Sequence, residues 1–337
     1  MGRLTWLAAW LAVAAGALPA LAEAPAEPAG APLAEAAPAG GGWTRPPEAR
    51  LLLTSLTAAR YNALGLYELL RIGGQWQLYR SDSPLWRENF VNLGLLANLS
   101  PSYARVGPMV EVQPVSFFSL KLGGEVLGYW QTFNYLQSFQ TPMAVWSDTA
   151  LRTGREAHLD YATWGLHAIV EPMLMVKFPI GAAGHLAFRN RLALEYWHLA
   201  LRAPAGGRVD TVFYEGNLDM LLGNDGWVLS DDLDALVMLP FRLNLGLRYS
   251  ALVPLYREDH FLTATEAQAY ASDNVNQRLG LIATYTFFDR GFTSFNKPTL
   301  IFMANWYLQS RFRTGADVSR AVPYLALAFS FQSDLLE

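Results

Sequence analysis

Apolar and polar residues alternate with a period of two from residue 297 to the end of the chain. In the first part of this stretch, one face carries Leu300, Phe302, Ala304, Trp306, Leu308 and Phe312. The other face carries Thr299, Asn305, Tyr307, Gln309, Arg311 and Arg313. Residues 321–331 repeat the pattern after a polar break. Because side chains of a β-strand point alternately to its two faces, each segment has one apolar face and one face that tolerates arginine. Such strands are typical of a barrel wall with lipid outside and water inside.

The same alternation recurs upstream and predicts a series of antiparallel strands. Its clearest segments are residues 106–112, 120–130, 164–178, 188–196, 232–239, 243–255 and 275–287. Three further segments also look like strands: residues 61–71, 89–99 and 103–113. If the chain starts in the periplasm, however, this number of strands would put the later long loops on the wrong side of the membrane. Either residues 50–57 form an extra first strand or one of the three candidates lies outside the wall. Residues 210–225 pose the same problem and are interpreted as a hairpin above the membrane. We predict an all-β fold, a transmembrane antiparallel up-and-down β-barrel of about 12 strands (about 10 to 14), because bacterial barrels prefer even numbers.

The connections between these segments are short at one end and long at the other. Residues 113–115, residues 179–184 and the turn at Pro240 are short, whereas residues 132–160 and 257–273 form long polar loops. This asymmetry predicts periplasmic turns and extracellular loops. After residue 22, no stretch reaches the roughly 18 consecutive apolar residues of a membrane helix. A closed barrel is the other backbone that satisfies its hydrogen bonds in lipid.

The N-terminus predicts export from the cytoplasm. Arg3 precedes an apolar run, residues 4–18, and Ala20, Leu21 and Ala22 form a small-x-small cleavage pattern. We interpret residues 1–22 as a signal peptide; the alternative, a retained anchor, is disfavoured because the run is too short for a comfortable span. Residues 23–48 are rich in Ala, Pro, Gly and Glu and predict a disordered periplasmic leader, or a spacer that threads the cell wall. The barrel is then expected from residue 49 to residue 337, in the outer membrane of a Gram-negative bacterium.

The positions that the alternation places on the inner face of the barrel include charged side chains of both signs in comparable number. These candidate lumen-lining residues are Glu111, Lys121, Glu125, Glu171, Lys177, Arg189, Arg191, Glu195, Asp232, Asp234, Arg242, Arg248, Arg278, Arg311 and Arg313. Charges of opposite sign on neighbouring strands can pair across the interior, whereas a charge-selective constriction is lined by one sign. We therefore expect a narrow or partly plugged lumen. The charges either conduct ions or only solvate the interior and hold its shape.

Aromatic residues near the predicted strand ends are expected to form girdles at the membrane interfaces. The candidates are Trp130, Tyr196, Trp197, Trp227, Tyr249, Tyr256 and Trp306. The alternative is that they belong to the core of a soluble β-sandwich. The signal peptide, the strand lengths and the loop asymmetry together favour the barrel.

Signals for a cofactor, a metal or a nucleic acid are absent from the sequence. The five histidines form no HExxH or HxH pair, there is no cysteine, and no glycine-rich phosphate loop occurs. The net charge of −4 comes without a basic block, which disfavours nucleic acid as a partner. An outer-membrane lipid hydrolase is the enzymatic alternative, because His198 points toward lipid by parity. No GxSxG motif is present, and a histidine in the interfacial girdle beside Trp197 is favoured, so we predict no enzymatic activity.

The succession of long alternating strands, ending in residues 321–331 with aromatic residues near their end, resembles Gram-negative outer-membrane β-barrels of the porin-like kind. In that group the last strand commonly closes on a terminal Phe or Trp that the barrel-assembly machinery recognises. This chain departs from the pattern because residues 332–337 follow Phe331. The segments YRSDSPLW and LSPSYARVGPMVEVQPV are also similar to predicted outer-membrane proteins of high-GC bacteria with no known activity. The resemblance implies outer-membrane lipid and the assembly machinery as partners.

These expectations combine into one functional hypothesis with two alternatives. We predict a narrow, porin-like channel for small polar or anionic solutes, in which Arg248, Arg278 and Arg311 attract anions and residues 132–160 fold inward as a constriction. The second hypothesis is a non-enzymatic structural or anchoring barrel of an envelope complex, whose leader docks a periplasmic partner. The lipid hydrolase is the third.

Overall fold

The wall of the protein is a closed barrel of twelve antiparallel strands, which confirms the predicted fold. A computed structural model describes residues 45–130, 136–203 and 207–336. The predicted signal peptide, and the leader as far as residue 44, lie outside the described residues. The wall strands are β1 (Ala49–Tyr61), β2 (Gly65–Trp76), β3 (Phe90–Leu99), β4 (Tyr103–Val115), β5 (Phe118–Tyr129), β7 (Thr163–Pro179), β8 (His185–Leu199), β11 (Gly226–Met238), β12 (Leu243–Leu255), β13 (Asn276–Thr286), β14 (Asn296–Gln309) and β15 (Tyr324–Asp334).

The first strand resolves the parity problem of the sequence. Residues 50–57 lie in β1, which pairs with β15 from Leu52 opposite Asp334 to Tyr61 opposite Leu325 and so closes the barrel. The predicted strand 61–71 is divided by a turn at residues 62–64, where Asn62 adopts a left-handed φ of 58°. Asparagine tolerates that conformation better than most residues, so the chain reverses there and β2 follows.

An even number of strands places both ends of the wall at the same end of the barrel, which we call the terminal end. Residues 77–89, 116–117, 180–184, 239–242 and 287–295 make the connections there. The opposite end, called the loop end, carries two short turns and four long connections. The long connections are residues 130–162, 200–225, 256–275 and 310–323.

The two faces of the wall differ in chemistry as the alternation predicted. Leu95, Leu281 and Leu327 point outward and are each 52% exposed. Asn92 and Ser330 point inward and are buried. An apolar exterior that surrounds a buried polar interior is the reverse of a water-soluble domain.

Three short strands form a separate sheet inside the loop end. They are β6 (Ser138–Phe139), β9 (Val212–Glu215) and β10 (Met220–Gly223). The hairpin predicted within residues 210–225 is therefore present, but it folds into the barrel interior, where every residue of β9 and β10 is buried. Its apolar residues Val212, Phe213 and Leu221 favour this position because it removes them from water.

Two short helices complete the described loops, α1 (Asp148–Glu156) and α2 (Ala264–Ala269). The N–H of Ala150 donates to Ser147 Oγ at 3.1 Å, which caps α1 at its start. Neither helix in the described part of the chain has the length and apolarity needed to cross a membrane.

Candidate functional site: the barrel lumen

A girdle of alternating charges follows the inner wall across five neighbouring strands, β5, β7, β8, β11 and β12. Its members are Lys121, Glu171, Arg189, Arg191, Asp232, Asp234 and Arg248. Lys121 Nζ lies 2.6 Å from Glu171 Oε1, and Arg191 bridges Glu171 at 3.3 Å and Asp232 at 2.7 Å. We call this set the charge girdle.

Strand register explains these pairs. Lys121 lies opposite Glu171, and Asp234 lies opposite both Arg189 of β8 and Arg248 of β12. Asp234 accepts from Arg189 Nε at 2.9 Å and from Arg248 Nε at 2.6 Å. Directly opposed side chains on one face of a sheet are close enough to pair, so the alternation of signs in the sequence becomes a bonded network.

The girdle borders a space inside the barrel. Arg191 points inward, and its guanidinium contacts two carboxylates. Even so, 41% of its side chain is exposed, which indicates accessible space beside it. Arg71 of β2 also points inward, is half-buried, and has no hydrogen bond or ion pair within the described residues. Arg71 was missed by the sequence analysis because the predicted strand 61–71 crossed a turn, which left the parity of β2 unassigned.

A second polar cluster lies nearer the loop end, on β5, β7 and β8. His167 Nδ1 is 2.6 Å from Glu125 Oε2, and His167 Nε2 is 3.0 Å from Glu195 Oε2. The indole of Trp197 packs on the imidazole with ring centres 4.3 Å apart. A neutral imidazole has only one N–H, so two carboxylate contacts require one additional proton in this cluster.

Residues 212–223, which we call the lumen plug, close the loop-end interior. Phe213 and Leu221 are fully buried in a hydrophobic cluster that includes Trp146 from the preceding long loop and Tyr103 of the wall. Residues 132–160 were expected to fold inward, and the described portion from residue 136 contributes to this closure; residues 131–135 lie outside the described residues.

Two arginines fasten the lumen plug to its surroundings. Arg313 donates to Asp219 at 2.9 and 2.8 Å and to Asp148 of α1 at 2.5 and 2.7 Å. Arg60 of β1 donates to the carbonyl and side-chain oxygens of Asn217 at 2.7 Å each. Burial opposes ionisation of Asp219, but the hydrogen bonds and charge of Arg313 outweigh it and hold the pKa of Asp219 below its ordinary range.

The remaining predicted lumen residues lie in three places. Glu111 of β4 and Lys177 of β7 point inward and are buried. Arg242 lies in the turn before β12 and donates to the Phe287 carbonyl at 2.9 Å, which places it at the terminal end. Arg311 follows β14 and donates to the carbonyls of residues 142–144, so it holds a loop.

Arg278 is inward and half-buried on β13, and its guanidinium lies over two tyrosine rings. The distances to the ring centres are 4.4 Å for Tyr324 and 5.8 Å for Tyr307. It has no carboxylate partner within the described residues. Of the three arginines expected to attract anions, Arg248 is bound to Asp234 and Arg311 to backbone carbonyls, which leaves Arg278 with no anionic partner among the residues described.

The predicted interfacial aromatics divide into two groups. Trp130, Trp227 and Trp306 are 46%, 42% and 40% exposed on the outer surface, and Tyr196 and Tyr249 share that face. The prediction is wrong for Trp197 and Tyr256. Trp197 is adjacent to the outward Tyr196 and must therefore point inward, and Tyr256 follows the last residue of β12 and donates to the Leu221 carbonyl of the lumen plug at 2.6 Å.

The outer surface holds the histidine of the hydrolase hypothesis. His198 Nδ1 is 2.6 Å from Asp225 Oδ1, which also accepts from the Tyr196 hydroxyl at 3.0 Å. A nucleophilic triad needs a hydroxyl within hydrogen-bond reach of the imidazole. No serine or threonine is hydrogen-bonded to His198 among the described residues. In the same part of the chain, no group of three or more His, Asp or Glu is arranged to hold a metal ion.

No family model matches the chain, and no curated protein matches it. Among solved structures, the porin NanC matches with 8% identity and a TM-score of 0.35 over 84% of this chain and 100% of that one. OccAB1 of Acinetobacter baumannii matches with 12% identity and a TM-score of 0.35 over 82% of this chain, which spans 59% of that one. OccK2 of Pseudomonas aeruginosa, solved in complex with glucuronate, matches with 12% identity and a TM-score of 0.27 over 86% and 98% of the two chains. Such low identities and TM-scores do not carry a function from these proteins to this chain.

Proposed function

We propose that the protein is an outer-membrane channel for small polar or anionic solutes, closed at its loop end by the lumen plug. The apolar exterior of the twelve-strand wall supports a place in a membrane, and the signal peptide proposed for residues 1–22 supports export. The outer membrane of a Gram-negative bacterium combines these two requirements, and outer-membrane lipid and the barrel-assembly machinery would then be its partners.

The observation that carries this proposal is the charge girdle beside accessible space. A wall that only needed to be filled could use apolar side chains, as it does around Leu236 and Ile282. Instead the central interior holds seven charged side chains, and 41% of the Arg191 side chain is exposed. Charged groups that face a water-accessible lumen allow a barrel to admit polar solutes and to reject apolar ones.

Conduction in this arrangement requires the lumen plug to move. Its hydrophobic residues are buried against the wall, and its attachment depends on the Arg313 contacts with Asp219 and Asp148. Removal of Arg313 would leave Asp219 buried without its cationic partner, which costs about 3–5 kcal/mol for a buried pair. The plug would then leave the lumen more often.

The test is single-channel recording of the refolded full chain in a planar bilayer. We expect rare openings for the unaltered protein, a higher open probability for Arg313→Gln, and no change for Arg320→Gln, an exposed arginine on the same loop. Thr211 and Asn224 are joined by a 2.8 Å backbone hydrogen bond, so a diglycine link can replace residues 212–223. If circular dichroism shows that this plugless variant is folded and it still gives no openings, the channel proposal is rejected.

The filled loop end favours a structural or anchoring barrel as the second function. The buried plug and the paired charges can stabilise a rigid barrel as well as they can line a channel. In that case the plugless variant stays closed, and a peptide of residues 23–48 binds a periplasmic protein in a pull-down that a scrambled peptide does not reproduce.

A further inference from the structure

We propose that the centre of the lumen is a binding site for a small hydroxycarboxylate, with Arg71 and Arg191 as the groups that bind its carboxylate. The inference rests on the proposed function, because it names the solute class that the same lumen would take. Both arginines point inward and both have accessible surface.

Charge balance indicates the sign of the ligand. Around the girdle, Arg71, Lys121, Arg189, Arg191 and Arg248 provide five positive charges, and Glu111, Glu171, Asp232 and Asp234 provide four negative ones. Glu111 lies opposite Lys121 on the neighbouring strand β4, so it extends the line of charges toward β3 and β2, the strand of Arg71. Arg71 is the cation of this set that has no carboxylate partner in the described part of the chain, so an anionic ligand would complete its pairing.

Geometry indicates a carboxylate. A guanidinium presents parallel N–H donors that match the two oxygens of a carboxylate. Arg71, which is not part of the charge girdle, has no partner for its donors within the described residues, whereas Lys121 and the three arginines of the girdle already contact carboxylates. Arg71 therefore has the most hydrogen-bonding capacity left for a ligand.

A neutral group near the cations indicates the rest of the ligand. Tyr67 of β2 points inward, four residues before Arg71. It packs against the same cluster as Met303, whose sulfur lies 3.3 Å from Arg248 Nη1. No protein partner of the Tyr67 hydroxyl occurs within the described residues. A phenol can donate to, and accept from, a hydroxyl group on the ligand.

The experiment measures binding of lactate by saturation-transfer NMR to the full chain in detergent micelles, with propionate and inorganic phosphate as comparison probes. We expect lactate to bind more tightly than propionate or phosphate. Arg71→Gln should weaken lactate binding about ten- to hundredfold, the loss of one charge-assisted bidentate contact. Arg320→Gln is the control, since this exposed arginine lies in the loop between β14 and β15, and it should change affinity less than about twofold.

Each outcome separates this inference from the channel proposal. Binding in micelles does not require an open channel, so lactate binding without conductance keeps the site and rejects the channel. Conductance without lactate binding rejects the site and keeps the channel. Equal loss in Arg71→Gln and Arg320→Gln would overturn the assignment to Arg71, and tighter binding of phosphate would overturn the hydroxycarboxylate. Circular dichroism of Arg71→Gln must match the unaltered protein, which is expected because Arg71 makes no ion pair.

Discussion

Glu68 points outward from β2, on the same face as the exposed Leu66 and Ile72. Its carboxylate accepts from Ser55 Oγ at 2.5 Å and also from the Thr57 hydroxyl. A carboxylate on a lipid-facing surface is costly unless its oxygens have donors, and these two hydroxyls of the neighbouring strand supply them.

We expect the double substitution Ser55→Ala with Thr57→Val to lower the free energy of unfolding by about 1–3 kcal/mol, because Glu68 then lacks donors. Urea unfolding in phosphatidylcholine vesicles measures the change. Addition of Glu68→Leu should recover the lost stability, since a leucine needs no donor in lipid. If the triple variant is no more stable than the double, the hydroxyls stabilise the wall in some other way.

Asp234 shows how three strands depend on one side chain. It is fully buried, and it accepts from Arg189 of β8 and Arg248 of β12. Asp234→Asn removes the charge that both guanidinium groups share, so we expect a loss of about 3–5 kcal/mol in the free energy of unfolding. Asp273→Asn, at an exposed loop position, should cost less than about 0.5 kcal/mol in the same urea titration. Equal effects of the two substitutions would contradict a structural role for the girdle.

The loop after β12 fastens the base of the lumen plug through His260. Its Nε2 is 2.7 Å from the Asn224 carbonyl, and its Nδ1 accepts from the Arg257 N–H at 3.0 Å. This pair of bonds needs a neutral ring with the proton on Nε2. Burial lowers the pKa of His260 from its ordinary value, against the opposing effects of the Asn224 carbonyl and Asp259.

A base whose pKa is lowered by folding is protonated more readily in the unfolded loop, so its contribution to stability is full above about pH 6.5 and is lost as the pH falls below that value. We expect hydrogen exchange in residues 211–224 to increase between pH 7.5 and pH 5.0, after correction for the intrinsic rate. His260→Gln, which does not titrate, should exchange equally at the two pH values. Unchanged exchange in the unaltered protein would show that His260 does not hold the plug.

Local alternation was sufficient to predict most wall strands, because inward and outward faces are set by the position of each residue in its own strand. It left residues 50–57 undecided and extended the strand predicted at 61–71 across the turn before β2. It could not predict that residues 212–223 turn inward. That choice depends on contacts distant in sequence, such as Arg313 with Asp219 and Arg60 with Asn217. The same limit applies to Arg71, whose parity became readable only once the turn at Asn62 was known.

At the scale of the whole molecule, the sequence predicts which charged residues line the lumen but not which of them form ion pairs. The inward charges of the central strands follow from parity, whereas the partner of each charge depends on register, which alternation alone does not define. Register pairs Arg248 with Asp234 and leaves both Arg71 and Arg278 without a carboxylate, so Arg71 takes the place of Arg248 among the arginines that remain to meet an anion.

The even strand number puts both termini of the wall at one end of the barrel, and the periplasmic leader proposed for residues 23–48 predicts which way that end faces. With both termini of the wall at the terminal end, α1 should face the outside of the cell and residues 77–89 the periplasm. The chain contains no cysteine, so a single introduced thiol reports its own location. Glu156→Cys on α1 should react with a membrane-impermeant maleimide on intact cells, because this residue is exposed. Arg80→Cys, which gives up only a surface ion pair with Glu48, should react only after the outer membrane is permeabilised. The opposite labelling pattern would mean that the lumen plug closes the periplasmic mouth, and the predicted orientation would then be wrong.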